Sequence, residues 1–241
     1  MKTDVIILAA GIGSRLRPLT NSMPKTMIDV NGKSIIRRLM DQLSNSNDIN
    51  IHIVAGYKQE ILNEFLKSNK DYKYNFIIND DYEITNNMYS LFLALNSLDN
   101  SNKNNLVIIN ADCVYDDRIV EEMLSSVESC IAIDENIFNN ESMKVLLDDN
   151  KLVKKMSKSI NNSEKSFVSM DIYNFNQQLK RELFVIVSKY IEKGDLNSWT
   201  EVAIDELVQK GNKVKVRPFK NKWMEIDDLN DLKKAEEIFV C

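Results

Sequence analysis

Val5-Ile6-Ile7-Leu8-Ala9-Ala10-Gly11-Ile12-Gly13-Ser14-Arg15-Leu16-Arg17-Pro18-Leu19-Thr20, with Pro24-Lys25 just beyond, is the stretch that decides the fold. Residues 5–9 make a short, unbroken apolar run, as a strand does when both faces of its sheet are covered. Two glycines follow at once. Without a Cβ, the backbone turns tightly there and lies close to a ligand. Successive N–H groups in such a turn form a concavity for phosphate. Ser14 adds a hydroxyl, and Arg15 and Lys25 add charge. Two common phosphate loops do not fit. The dinucleotide fingerprint needs a third glycine at position 16, which is Leu16. A Walker loop ending in Gly32-Lys33-Ser34 needs glycine at position 27, which is Met27. The competing reading is a plain strand-to-helix turn with solvated basic residues.

Outward from this loop, strand-like and helix-like segments alternate. Strands are expected over 51–54, 74–78, 106–109 and 131–134. The stripes Ile35, Ile36, Leu39, Met40, Leu43 and Met88, Leu91, Phe92, Leu95, Leu98 read as helices, as do 59–66 and 117–125. Strands separated by helix-length crossovers pair in parallel. After residue 135 the pattern changes. Residues 144–147, 151–156 and 166–173 read as strands joined by polar turns, and 177–192, 201–209 and 228–239 as helices, with a late strand at 214–216. The expected fold is α/β, a Rossmann-like, doubly wound, mostly parallel sheet with a smaller antiparallel portion in the second half. One domain spans 1–241, with a nucleotide-binding half over 1–135 and an acceptor-binding half over 136–241.

Composition removes several function classes. The 241 residues are enough to bury about 70–75 % of the unfolded surface, so no metal or disulfide staple is needed. Net charge is −5, which argues against nucleic acid as a partner. The cysteines Cys113, Cys130 and Cys241 form no CxxC pair, and the single histidine, His52, cannot complete a zinc set. His52 lies in an apolar run and reads as structural, which leaves a Ser–His–Asp triad without its base. The N-terminal apolar run is too short for a signal segment, and no run nears the ~20 apolar residues of a membrane span. A reduced, cytoplasmic protein without a membrane partner is expected. Oligomeric state stays open, a homodimer being one option.

The full string, with arginine two residues after the second glycine and Pro-Lys beyond, resembles the LAAGxGSRLRP…PK signature of the nucleotidyltransferases that make sugar nucleotides and related activated head groups. The resemblance implies that Leu8, Ala9, Ala10, Gly11, Gly13 and Ser14 wrap a nucleotide. It implies that Arg15 holds the β- and γ-phosphates, and that Lys25 bridges the α-phosphate and the acceptor phosphate. It also implies Mg²⁺ as cofactor, on Asp112 of Asn110-Ala111-Asp112 and Asp227 of Trp223-Met224-Glu225-Ile226-Asp227-Asp228, with Glu225 a possible third ligand. Placement at strand C-termini suits such a set. The plainer readings are a turn aspartate for Asp112 and a helix cap for Asp227 or Asp228, of which Asp228 fits the cap better.

Asn86-Asn87-Met88-Tyr89-Ser90-Leu91 is similar to the NNxYSL stretch of choline-phosphate cytidylyltransferases and relatives acting on phosphorylated amines. That implies Asn86, Asn87 and Ser90 near the nucleotide. Tyr89 is either an acceptor contact or ordinary packing. Asp171 stands where that family commonly has glycine, and is either an ammonium partner or a loop aspartate. Trp199 and Glu201 lie where relatives carry aromatic and acidic residues, and Trp199 could wall a cation–π site. The implied reaction joins CTP to a small phosphorylated amine-bearing acceptor, such as phosphoglutamine or phosphocholine. It releases pyrophosphate and feeds decoration of a surface polysaccharide. A sugar-1-phosphate transferase using UTP or dTTP and a non-catalytic NTP sensor are the alternatives.

Overall fold

A computed structural model describes residues 2–46, 48–99, 102–136 and 141–240; Cys241 lies outside them. The strands of the first half are β1 (Thr3–Ala9), β2 (Asp29–Val30), β3 (Lys33–Ser34), β4 (Ile49–Ala55), β5 (Asn75–Ile78), β6 (Asn105–Asn110), β7 (Cys113–Tyr115) and β8 (Cys130–Asp134). Those of the second are β9 (Lys144–Leu147), β10 (Val153–Met156), β11 (Ser166–Phe175), β12 (Lys215–Phe219) and β13 (Trp223–Glu225). The helices are α1 (Ile35–Ser44), α2 (Gln59–Ser68), α3 (Asn87–Ser97), α4 (Asp117–Ser125), α5 (Gln177–Glu192), α6 (Thr200–Gln209) and α7 (Leu229–Ile238).

Strand β1 is buried along its length, between β4 and β6, and β5 extends the sheet past β4, all in parallel. Alternate β1 residues face opposite layers. Val5, Ile7 and Ala9 join α1, α2 and α4 in one core, while Ile6 and Leu8 join α3, α5 and α6 in another. This is the doubly wound arrangement expected from the sequence, with crossover helices on both faces. The antiparallel part centres on β11, which pairs with β6, β8 and β9. Between its contacts to Ile133 and Ile131 of β8, β11 inserts Met170, Asp171 and Ile172 opposite the single residue Ala132. Such a bulge re-aims side chains. Asp171 sits in it with φ +57, in the left-handed region that aspartate enters more readily than most residues.

Two short antiparallel pairs were not legible in the sequence, β2 with β3 and β7 with β13. Both pack into a third core of Leu16, Ile28, Val30, Ile35, Val114, Ile226, Leu232 and Ala235. That small core ties the glycine-loop region to the chain's last strand and helix. The late strand runs over Lys215–Phe219 rather than 214–216, because its parallel register with β8 continues through Phe219. Asp228 caps α7, with Asp231 completing a capping box. No helix among the described residues is long and apolar enough to cross a membrane.

The sheet end opposite the glycine loop carries a buried ion pair. Asp4 accepts from Lys180 Nζ at 3.2 Å and from the side-chain amides of Asn50 and Asn104, each at 2.9 Å. Burial works against the Asp4 anion, but these donors outweigh it and hold its carboxyl below the usual range. His52 lies in β4 beside this pair, and burial lowers its pKa, so it is neutral and structural. Removing one partner of a buried pair strands the other's charge, at about 3–5 kcal/mol. Asp4→Ala is therefore expected to lower unfolding free energy by about that amount in urea titrations. A loss no larger than that of an exposed ion pair would show that water reaches Lys180.

Candidate active site

The chain leaves β1 into a loop whose two glycines do different work. At Gly11 a Cβ would meet nothing within 4 Å, so the backbone there lies open. Gly13 has φ +65, and a Cβ on it would stand 2.8 Å from Cβ of Lys25. Only glycine lets the loop pass this close to Lys25. Beyond it a 3-10 turn, Ser14–Leu16, buries Leu16 in the third core and leaves Arg15 on the surface. The Arg17–Pro18 peptide is cis. Thr20 Oγ1 donates to the Gly13 carbonyl at 2.9 Å, and the Tyr57 hydroxyl donates to the Thr20 carbonyl at 2.9 Å, which pins the loop from outside.

Lys25 Nζ lies 2.9 Å from Oδ2 of Asp112 and 2.7 Å from Oδ1 of Asp227. Arg15 reaches the other Asp227 oxygen at 2.7 Å. Burial opposes the Lys25 charge, but the two carboxylates prevail and raise its pKa further. Burial likewise opposes the Asp227 anion, and Lys25 and Arg15 hold it below the usual carboxylate range. The two aspartates are neighbours because the Ile226 N–H donates to the Asp112 carbonyl at 2.9 Å, continuing the pairing of β7 with β13. Glu225 completes a triad with them, one oxygen from each lying within 4.8 Å of the others. Burial, then Asp171, Asp112 and Asp227, push the Glu225 carboxyl up to about 9. Were all three ionised, their charge would exceed what Lys25 and Arg15 neutralise, so Glu225 keeps its proton in the ligand-free protein; the donor set suits a hard divalent cation that takes its remaining oxygens from phosphate and water.

A cavity of about 1160 Å³ opens over these groups. Leu8, Ala10, Gly11, Arg15, Asn86, Asn87, Ser90, Asp112, Glu225 and Asp227 line it, together with Asp171, Trp199 and Glu201 on the second-half side. On that side the Tyr173 hydroxyl lies 3.0 Å from Asp171 and 2.9 Å from Glu201, its one proton serving one of the two at a time, and Ser169 Oγ stands 3.3 Å from the same hydroxyl. Asn110 also donates to Asp171. Burial, then Glu201 and Asp112, push the Asp171 carboxyl up to about 8, and burial raises Glu201 as well.

Other sequence candidates have structural partners. Asn86 accepts from the Asn87 N–H and caps α3, while Asn87 Oδ1 accepts from the Thr200 N–H at the start of α6. Ser90 is held by Asn79 Nδ2 at 3.0 Å. Ala9 belongs to the core beneath the loop, and Ser14 lies exposed at the turn. Tyr89 stacks on Phe92, donates to Asp81 and lies off the cavity wall. Sequence reasoning missed Tyr173, Asn110 and Lys158, whose Nζ stands 4.6 Å from the Trp199 ring centroid. The Tyr173 hydroxyl was foreshadowed only by its place two residues after Asp171. A lysine in a polar loop carried no signal.

A cleft that sets two cations and three carboxylates around an open glycine turn, at the C-terminal ends of parallel strands, handles phosphate groups. The chain belongs to the nucleotidyl transferase family, which matches residues 4–239. It is 28% identical to the CTP:phosphoglutamine cytidylyltransferase of Campylobacter jejuni, over 95% of this chain and 97% of that one. It is also 28% identical to the bifunctional protein GlmU of Methanococcus aeolicus, over 96% of this chain but 53% of that protein, so the chain spans about half of GlmU. The solved structure of the CTP:phosphocholine cytidylyltransferase from Streptococcus pneumoniae superposes with a TM-score of 0.80 at 25% identity, covering 99% of both chains.

The raised carboxyls make the pocket sensitive to pH. A carboxyl whose folded pKa lies above its unfolded value binds a proton more tightly in the folded state. Its contribution to stability is present below the unfolded value and lost as pH rises through the folded one. For Asp171 that window runs from 3.8 to about 8. The melting temperature of the ligand-free protein should therefore fall across the upper part of this window. Asp171→Asn tolerates the same backbone and still accepts from Tyr173, so it should melt higher than wild type near the top of the window and with a flatter pH profile. Parallel profiles for the two proteins would mean that Asp171 is solvated.

Proposed function

We propose that this chain transfers CMP from CTP to a small phosphorylated, amine-bearing acceptor, releasing pyrophosphate. The observation that carries this reading is Lys25 bridging Asp112 and Asp227 beside the open Gly11 turn. Full-length similarity to a cytidylyltransferase supports CTP as the donor. Asp171 and Glu201 on the second-half wall of the cavity, acids that a bound ammonium would draw into their ionised form, support an amine on the acceptor. A CDP-linked head group of this kind suits the decoration of a surface polysaccharide.

The acceptor phosphate is its own nucleophile. Its second pKa is near 6, so it is largely dianionic at neutral pH and needs no general base. That agrees with a site whose side chains include no histidine. One acceptor oxygen forms a bond to the α-phosphorus as the bond to pyrophosphate breaks on the opposite side. The loop backbone at Gly11 positions the nucleotide, Lys25 draws the two reacting phosphates together, and Arg15 binds the departing pyrophosphate. Asp112, Asp227 and Glu225 would hold Mg²⁺, whose charge there neutralises the α-phosphate and the leaving group. For the phosphates to engage Lys25 and Arg15, both cations must exchange their carboxylates for phosphate oxygens. Similarity to GlmU along nearly the whole chain favours a second reading, transfer to a sugar 1-phosphate.

Pyrophosphate release measured with each NTP against a panel of phosphorylated amines and sugar 1-phosphates tests the reading. Turnover with CTP and an amine is expected, and turnover confined to UTP or dTTP with a sugar phosphate would replace it. Asp112→Asn keeps size and fold but should lower kcat by at least ~100-fold, the scale of one lost transition-state electrostatic contact. Lys25→Ala should lower kcat more than it weakens CTP binding, and Arg15→Ala should chiefly raise KM for CTP. Wild-type kinetics in both cation variants would reduce the loop to a structural turn.

A further inference from the structure

The acceptor end of the cavity carries both signs of charge. Asp171 and Glu201 stand on one part of its wall, joined through the Tyr173 hydroxyl. Lys158 stands on the same wall with its ammonium over the Trp199 ring, 4.6 Å from the centroid. The aromatic face that would receive a quaternary ammonium is thus already covered by a cation of the chain itself. A trimethylammonium would have to displace Lys158 and then sit near its charge.

The path of this rim is set by main-chain contacts. Lys144 in β9 is buried, and its Nζ donates to the carbonyl of Lys158 at 2.8 Å and to that of Ser142 at 3.1 Å. The backbone at 158 is therefore anchored beside the cavity while the Lys158 side chain remains exposed. A lysine on an exposed aromatic face is weakly held, and a carboxylate offers it a stronger, charge-assisted partner.

Resting on the reading of the site as an acceptor pocket for phosphorylated amines, we infer that the acceptor's far end is zwitterionic. Its ammonium is received by Asp171 and Glu201, and its carboxylate by Lys158 swung off Trp199. The acceptor class is then a phosphorylated amino acid, rather than a phosphorylated simple amine or choline. An ammonium alone would leave Lys158 unused, and a quaternary ammonium would be opposed by it. Lys158 is a specificity-determining residue on the cavity wall that carries Trp199.

Two pairs of acceptors isolate the carboxylate at two chain lengths. Phosphoglutamine is compared with the same compound lacking its α-carboxylate, and O-phosphoserine with O-phosphoethanolamine. With CTP, the carboxylate-bearing member of the accepted pair should show kcat/KM higher by ~10-fold or more, as one charge-assisted contact provides. In Lys158→Met that ratio should collapse towards one, Lys158→Arg should restore it, and Lys158→Met should gain on phosphocholine as the Trp199 face opens. A wild-type ratio near one, or a ratio unchanged in Lys158→Met, overturns the inference. If no acceptor releases pyrophosphate, the proposed activity fails on that result alone. Calorimetric binding of the same pairs in the presence of CTP then still reads Lys158, and binding that ignores the carboxylate overturns the inference as well.

Discussion

The contact on which the site depends is the ammonium of Lys25 between the carboxylates of Asp112 and Asp227. It joins the glycine-loop region, the end of β6 and the last strand, segments far apart in sequence. Three features exist for its sake. Gly13 has no side chain because Lys25 passes there. The pairing of β7 with β13 sets the two aspartates side by side. The third core, from Leu16 through Ile226 to Leu232, keeps the loop and the C-terminal segment in register. In the ligand-free protein the bridge also keeps the nearly buried Lys25 ammonium from standing unpaired beside two half-buried carboxylates.

The second-half wall of the cavity is organised on the opposite principle. Asp171, Glu201 and Glu225 are crowded together with less compensation, and their carboxyls are pushed upward by burial and by one another. Asp171 adds a left-handed backbone in a bulge that breaks the β11–β8 ladder. Strain and like charge at one place are common where a protein gives up stability to hold a site ready for a ligand. The contrast with Asp4 and Lys180 is instructive. There the donors match the acceptors, and the group serves the fold.

The alternation of apolar runs and helical stripes was enough to place the parallel strands and crossover helices, because burial on both sheet faces leaves a continuous signature in β1, β4 and β6. The pairs β2–β3 and β7–β13 are only two or three residues long, too short for any period to show. Lys25, Asp112 and Asp227 were legible as candidates through their motifs, and their meeting was not, since it depends on tertiary register. Asn86 and Asn87 were marked by sequence, yet their side-chain oxygens are committed to the starts of α3 and α6. Lys158 was silent because an exposed lysine in a polar loop resembles any other. Its position becomes informative only beside Trp199.

Lys144 grips the carbonyl of residue 158 and makes no demand on the side chain there. The geometry of the rim is therefore independent of which amino acid occupies that position. Substitutions at exposed sites of this kind usually shift stability by no more than about 0.5 kcal/mol. A lineage can change the residue at 158 without passing through poorly folded intermediates, while Lys25, Asp112 and Asp227 stay as they are. On the inference drawn for Lys158, a change of head group would then be cheap in evolutionary terms.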